Sequence, residues 1–413
     1  VNKDEKVETL IVGAGLIGSS VAMHLGRLGM KNVRVVDFDL EGGLSSSELN
    51  AGGVRATWVL PLNIQMSKLT IEYLAAHAEE VGYRDCGYLW LHTAEKLEAA
   101  LKARETQTAM GWPVEAWDVS QLRKRVPFID KTDGIAGALF SPRDGLVNPN
   151  RMKNHFRDEA RKYGVVFDDR TLLRGAEYSN DGSTGVKLVC ERFESVMSHD
   201  SKLDVMSLQP GIESRARVTY QAKRVINCAG AWASFVAGLL GYRSPAYPVR
   251  RQVTIFDCRD VDLTPYGMIV DTSGVYFHPE ATNGLSGFAA PEQPGINYQY
   301  DGESFFQEMI WPALYERSTH FERLKHLTGW AGLYEVSPDE CAILGQVESG
   351  DAGRAGNVFE AHSFSGHGVM HSYAAGQVLA EKLVLGRYEL VDAAPLSGSR
   401  FEMGRLLREN LII

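Results

Sequence analysis

The chain has no basic surplus, no paired-cysteine pattern and no long apolar run. Its 43 lysines and arginines are outnumbered by 52 aspartates and glutamates, giving a formal charge of −9 and a pI near 5.7. The positive footprint of a nucleic-acid binder is therefore missing. The short run Arg123-Lys124-Arg125 sits among acidic residues and reads as a solvated helix face. Five cysteines (Cys86, Cys190, Cys228, Cys258 and Cys341) are scattered and odd in number, and none forms a C-x-x-C pair. They read as reduced, mostly buried thiols in a reducing compartment. No apolar stretch reaches the roughly 18 residues of a membrane span, and "ASFVAGLLG" at 233–241 makes a short amphipathic helix at most. The opening "VNKDEKVETL" does not read as a signal peptide. It lacks an initiator Met, and whether a segment was trimmed stays open. A cytoplasmic location is expected, with the mitochondrial matrix as the alternative in a eukaryote. Internal repeats and low-complexity tracts are also missing.

What is present is an ordinary globular composition, 44% hydrophobic and 23% charged, over 413 residues. That length suits two or three lobes rather than one core. The first informative stretch runs from Val7 to Asp39. A β-rich "TLIV" leads directly into Gly13-Ala14-Gly15-Leu16-Ile17-Gly18; Val21, Ala22, Leu25 and Leu28 then recur at helical spacing, and "VRVVD" is a second strand. This is a βαβ unit with G-x-G-x-x-G at its first turn. Gly13 permits the tight turn, Gly15 lets a pyrophosphate approach the backbone, and Gly18 lets helix and strand pack closely. The helix N-terminus offers free N–H groups to the phosphates. Asp37, at the end of the second strand, can accept both ribose hydroxyls and would repel a 2′-phosphate, which argues against NADP. The motif by itself does not choose between NAD and FAD.

Three later stretches favour the longer ligand. "EGGLSSSELNAGGVRATWVLP" is a glycine-rich segment able to lie along an extended cofactor. "ARVTYQAKRVINCAGAWAS" at 216–234 reads as a hairpin-like pair of β-rich runs ending in Cys228-Ala229-Gly230, with a helix opening at Ala231-Trp232. "NVFEAHS" reads as a strand, "FSGHG" as a turn and "VMHSYAAGQVLAEKLVLG" as a helix ended by Gly386. The last region holds His362, His367 and His371. His367 and His371 have the i, i+4 spacing of a helical metal pair, but Gly368, Val369 and Met370 lie between them and no Glu. No metal is expected, and His362 and His371 read as packed or solvated.

Taken in order, "GAGLIG" with Asp37, "NAGGVR", "DGLVNPNRM", "INCAGAW", "VYFHPE", "SPDECAILG" and "FSGHG" resemble the FAD-dependent D-amino-acid-oxidase superfamily. That superfamily includes sarcosine oxidases, glycine oxidase and dimethylglycine dehydrogenase. The last third ("DTSGVYF", "GWAGLYE", "FSGHG", "ENLII") also looks like a mitochondrial FAD-dependent oxidoreductase domain protein associated with respiratory complex I assembly. The resemblance implies an α/β (α+β) fold, with a Rossmann-like FAD-binding domain interleaved with a mixed-sheet substrate domain. The first domain takes residues 1–85, 144–245 and 340–390, the second 86–143 and 246–339, and 391–413 form a C-terminal tail. The polar segment 190–215 reads as a surface insertion in the small sheet of the FAD domain.

The resemblance also implies a cofactor, FAD, and its contacts. Gly13, Gly15, Leu16, Ile17, Gly18, Asp37 and Phe38 belong to the nucleotide end, with Ser46, Ser47, Ala51, Gly52 and Gly53 along the cofactor. Leu173 joins them, as do Cys228, Ala229, Gly230 and Trp232. Gly332 and Leu333, with Ser365, Gly366, His367, Gly368, Val369 and Met370, belong to the flavin end. Gly366 and Gly368 leave backbone N–H groups at a helix N-terminus, which suits the negative charge of a reduced flavin. The implied reaction passes hydride from an amine C–H to flavin N5, after which an imine hydrolyses. The substrate is an amine or amino acid, whose carboxylate calls for an Arg. Arg55, Arg251 and its neighbour Arg250 are the candidates. Tyr334 matches a substrate-facing position, and Tyr276 and His278 are placed at the same cavity, His278 as a base.

Three departures qualify the likeness. Gly332 stands where monomeric sarcosine oxidase has its flavin-tethering Cys, so FAD is expected to be non-covalent. Met370 replaces a carboxylate-binding Lys, which puts sarcosine itself in doubt. No Lys lies near "GLSG" at 284–287, which leans toward a dehydrogenase with a carrier as acceptor rather than oxygen. Two other readings stay open, a flavoprotein assembly or scaffold factor with little turnover and an NAD-linked dehydrogenase. Oligomeric state is open as well.

Overall fold

A computed structural model of the chain describes residues 3–178, 185–193 and 216–409. It is built on two eight-stranded sheets. Across the first run Ile343–Gln346, Val358–His362, Ala216–Asn227, Lys3–Val12, Val33–Val36 and Val166–Asp168. Every neighbouring pair along this path is parallel except the first. Parallel strands need both faces covered, and Leu10, Ile11, Val35 and Val36 are accordingly buried. Helix Leu16–Arg27 covers one face, packed between helices Pro149–Lys162 and Gly368–Leu385. A Cβ on Gly376 would overlap Ser20, so the crossing with the last helix depends on that glycine.

The expected hairpin at 216–234 is instead one twelve-residue strand, Ala216–Asn227. Its first half pairs antiparallel with Val186–Arg192, and its end pairs parallel with Val358–His362. The residues after Gly230 make a single 3₁₀ turn before helix Ala233–Leu239 begins. The segment 190–215 is also corrected at its start, because Cys190 to Arg192 complete a strand; residues 194–215 lie outside the described residues.

The second sheet runs Lys325–Val336, Tyr247–Asp257, Asn283–Phe288, Tyr276–Glu280, Met268–Val270, Tyr88–His92, Gly137–Ser141 and Glu115–Trp117. It is antiparallel except between Met268–Val270 and Tyr88–His92, so it is a mixed sheet. Strand alternation gives it two distinct faces. Phe256, Phe277, Phe306 and Phe321 form a core on one, while Tyr88, Val253, Met268 and Tyr276 pack on the other, toward the first sheet. The chain thus folds as a Rossmann-like lobe interleaved with a mixed-sheet lobe. Among the described residues, no helix is long and apolar enough to cross a membrane.

Candidate functional site

The G-x-G-x-x-G turn follows the end of strand Lys3–Val12. Gly13 has φ +101°, and a Cβ there would overlap the Cys228 carbonyl. Gly18 lies beneath, where a Cβ would overlap the Gly13 carbonyl oxygen. Gly15 differs: its Cβ would meet only Ser47 Oγ, at 3.2 Å, and otherwise faces a cleft. It begins helix Leu16–Arg27 with no cap from its own side chain; Leu16 N donates to Ser47 Oγ at 3.0 Å, and the following N–H groups of the first turn are left for a phosphate. Asp37 accepts the Ala14 and Asp39 N–H groups at 2.5 and 2.7 Å. Burial raises its pKa against these bonds.

The turn is held from behind by residues that the motif does not reveal. Arg157, on helix Pro149–Lys162, donates to the Ala14 carbonyl (Nε at 3.1 Å) and to the Leu40 carbonyl (2.7 Å). Lys153, one turn earlier, pairs with Glu48. Burial and the Arg157 charge bring Lys153 down to about 8.

The cleft has a volume of about 230 Å³. It extends from Asp37, Phe38 and Leu173 past Gly13, Gly15, Leu16 and Ile17 to Gly332, Leu333 and Tyr334. Ser46, Ser47 and Ala51 line one wall, and Cys228, Ala229, Gly230 and Trp232 another. Ser365, Gly366, Gly368 and Val369 close the far end. A small inner chamber opens beyond, lined by Gly53, Arg55, Trp58, Tyr88, His367 and Met370, and sharing Ala51, Tyr276, Tyr334, Ser365 and Gly366 with the cleft. Gly52 lines neither chamber. Its φ is +78°, and a Cβ there would meet the Val147 carbonyl at 2.5 Å, so its role is packing. An extended ligand with anionic phosphates at the N–H groups of the Gly15 turn, ribose hydroxyls donating to Asp37 and a ring at the far end suits this lining. FAD has that shape and chemistry.

The far end is a strained turn. Ser363, Ser365 and Gly366 take φ of 59°, 50° and 91°. Only the glycine was legible as a special position, since non-glycine residues there cost about 1–3 kcal/mol each. Strand Lys325–Val336 holds the two serines in place. Ser363 N donates to Glu335 Oε2 (2.8 Å), Ser365 N to the Glu335 carbonyl (3.1 Å), and Ser337 N to Ser365 Oγ (3.2 Å). Helix Gly368–Leu385 then starts from His367 with no side-chain cap. Its positive end abuts the cleft.

His362 is packed rather than solvated, one of the two alternatives the sequence left, and its packing is polar. It is buried 3.0 Å from Glu360 and 3.8 Å from Glu335. Burial raises the Glu335 carboxyl; the two carboxylates raise His362 against its own burial. His371 is packed against Trp58 and Phe364. Among the described residues, no cluster of His, Cys, Asp and Glu is disposed to hold a metal ion.

The substrate candidates separate clearly. Arg55 is buried with its guanidinium 3.5 Å from the Trp58 ring centroid and 4.9 Å from that of Trp90. Such stacking stabilises a desolvated cation. Arg251 lines the cleft 5.3 Å from the Tyr334 ring centroid, whereas Arg250 is turned away, bound to Glu292 and Asp301 at 2.7 and 2.9 Å. Tyr276 and Tyr334 stand where the two chambers meet, and burial raises both phenols. They stay neutral hydrogen-bond donors. His278 is a correction. It lines neither chamber, and its ring nitrogens lie 2.9 and 2.8 Å from the carbonyls of Pro279 and Ala51. Burial lowers its pKa further. It holds the 50–53 segment and is not placed to take a proton from substrate.

Asp144, missed in the sequence, anchors the stretch bearing Arg55. It is fully buried and accepts Ala56 N at 2.9 Å and Trp112 Nε1 at 2.9 Å. Burial pushes its carboxyl from 3.8 up to about 6. A folded-state pKa above the unfolded one means that this group stabilises most below pH 3.8, and the advantage disappears as pH rises through 6. The shift corresponds to about 3 kcal/mol at 1.36 kcal/mol per unit. Asp144→Asn keeps the acceptor oxygen and lacks the titration. Between pH 4 and 6.5 the unfolding free energy of the wild type should therefore fall relative to the variant by about that amount, as measured by urea denaturation across pH.

Comparison with known proteins places these features in context. The model of the DAO family, described as FAD dependent oxidoreductase, matches residues 8–382. FAD-dependent oxidoreductase domain-containing protein 1 of Xenopus laevis is 30% identical over 99% of this chain and 85% of its own length. Among solved structures, L-proline dehydrogenase from P. horikoshii superimposes with a TM-score of 0.82 at 22% identity, over 98% of this chain and 100% of that one. Glycine oxidase from Geobacillus kaustophilus gives 0.76 at 20% identity, over 96% and 99%.

Proposed function

The chain belongs to the DAO family of FAD-dependent oxidoreductases, and on that premise we propose that it oxidises the C–N bond of a small amine bearing a carboxylate, an N-methyl amino acid or a proline-like one. The observation that carries this reading is a set of unsatisfied groups on the walls of the two adjoining chambers, Arg251 on the cleft and His367 on the inner chamber. Arg251 Nε and both ring nitrogens of His367 are buried and have no hydrogen-bond partner among the described residues. Buried polar atoms are normally paired, so orphans that line a cavity mark where a ligand supplies the partner.

The side chains divide the work. Arg251 binds the substrate carboxylate at the mouth of the inner chamber. Arg55 adds a second positive charge deeper in, and Tyr276 and Tyr334 orient the substrate through neutral hydroxyls. Among the described residues, no carboxylate side chain lines the inner chamber. Two guanidinium groups disfavour a third cation, so they lower the pKa of the bound ammonium and favour the free amine, the reactive form. Bound FAD supplies the hydride acceptor, N5, and is held without a covalent bond, since Gly332 offers no side chain for a tether. The imine product leaves to be hydrolysed by water. Aromatic walls at Trp58, Tyr88 and Tyr276, with Met268 and Met370, restrict the carbon skeleton to something small.

The test is the visible spectrum of the purified yellow protein under anaerobic conditions, with sarcosine, N,N-dimethylglycine, glycine and L-proline added in turn. Bleaching by a secondary or tertiary amino acid, with the matching oxo product released, is the expected result. Readmitted air restores the colour if oxygen is the acceptor; if it does not, an electron carrier is required. A spectrum that none of these compounds changes counts against the reading.

A further inference from the structure

We propose that the C-terminal tail braces the substrate chamber from behind its wall, with Glu409 as a positioning residue that holds Arg55 and Trp58 against His367. The inference rests on the substrate reading above and adds to it a segment far from the chamber in sequence.

Helix Pro61–Ala76 begins three residues after Trp58, and it begins badly. Its N-cap, Leu60, has no side chain able to accept a hydrogen bond, its first turn holds no acidic residue, and Pro61 follows at once. The missing acceptor arrives from the other end of the chain. Glu409 accepts Val59 N (3.0 and 3.2 Å from its two oxygens), Leu60 N (3.1 Å) and Asn63 Nδ2 (3.1 Å). Its relative exposure is 2%, although residues 402–406 before it are all exposed. A carboxylate at a helix N-terminus is a charge-assisted cap. An exposed strand of chain that ends in one buried acid is a strap with a latch.

The strap is also pegged on the opposite wall of the site. Arg400 makes two 2.8 Å bonds to the Asp339 carboxylate, and Leu407 N donates to Asp339 Oδ2 at 3.0 Å. Asp339 lies just past strand Lys325–Val336, which carries Tyr334 and Glu335. The tail therefore ties the wall bearing Tyr334 to the wall bearing Arg55.

The residue next to Val59 matters for the chamber. Trp58 lies between Arg55, 3.5 Å from its ring centroid, and His367, 4.2 Å away. Asp144, Gln107 and Ser67 hold the same stretch from other sides, through Ala56 N, the Trp58 carbonyl and Trp58 Nε1. Glu409 is the hold at its C-terminal end. Without it the half-buried amides of Val59 and Leu60 lose their acceptor, and the stretch can relax toward the chamber or out of it.

The experiment compares full-length Glu409→Ala and Glu409→Gln with wild type, each purified with its flavin. Amide hydrogen exchange over residues 55–58, read by mass spectrometry, needs no substrate. Glu409→Ala should accelerate exchange there, and Glu409→Gln, which keeps an acceptor oxygen, should stay close to wild type. With L-proline as the probe, Glu409→Ala should raise the concentration for half-maximal bleaching rate about tenfold and leave the limiting rate within about twofold. Unchanged exchange over 55–58 in Glu409→Ala overturns the proposal, as does a fall in thermal stability with no change in the L-proline concentration dependence. If L-proline does not bleach the wild type, the substrate reading fails in this arm, while the exchange data still decide whether Glu409 positions Arg55 and Trp58.

Discussion

Gly15→Val is expected to yield a folded, colourless protein. Gly15 has φ −65° and ψ −168°, which a β-branched residue adopts without strain. The only atom its Cβ would approach is Ser47 Oγ, at 3.2 Å, which has to give way by a few tenths of an ångström. The remainder of the valine would project into the cleft where the phosphates must reach the N–H groups of helix Leu16–Arg27. The affinity for FAD should fall by about 100-fold or more, since the anion then cannot contact its donors. The ratio of absorbance near 450 nm to that at 280 nm reads the loss, and far-ultraviolet circular dichroism shows that the fold persists. Gly18→Ala is the contrast. Its Cβ would overlap the Gly13 carbonyl inside the packed turn, so that variant should fail to fold. A yellow Gly15→Val protein would mean that the cleft does not hold the pyrophosphate at this turn.

The second large effect is at Arg251. Arg251→Leu should keep its flavin and lose amine oxidation by about 10³-fold in kcat/KM, the scale of truncating a buried charged hydrogen-bonding group. The adjacent Arg250→Leu provides the control. Arg250 is committed to Glu292 and Asp301 on the other face of the strand and lines neither chamber, so its loss should change kcat/KM by no more than about threefold. Equal losses in the two variants would move the carboxylate site away from Arg251.

These effects trace to features that differ in how far they could be read from the chain. The nucleotide turn was legible because its parts are adjacent in sequence: a strand, three glycines at fixed spacing, a helix and Asp37. What supports that turn was not, because Arg157 reaches the Ala14 carbonyl across 143 positions. The far-end turn was half legible. Gly366 signals positive φ, but Ser363 and Ser365 adopt it only because Glu335 and Ser337 on another strand bond to them. His278 misled because a histidine beside a presumed cavity looks like a base until both ring nitrogens are found against backbone carbonyls. The run at 216–227 misled for a different reason. Its central polar residues, Gln221 and Lys223, look like a turn, but they alternate with buried Ala222 and simply face solvent along one strand. Glu409 carries no local signal. An acid near a chain end reads as a solvated tail until the uncapped helix it serves is in place beside it.

The most direct test of the account is a paired measurement on wild-type protein, the anaerobic bleaching rate with L-proline against that with pyrrolidine, the same ring without its carboxylate. If Arg251 and Arg55 recognise a carboxylate, the acid should bleach the flavin at least about 100-fold faster at equal free-amine concentration. Equal rates, or bleaching by pyrrolidine alone, would contradict the assignment of the chamber to an amino-acid substrate.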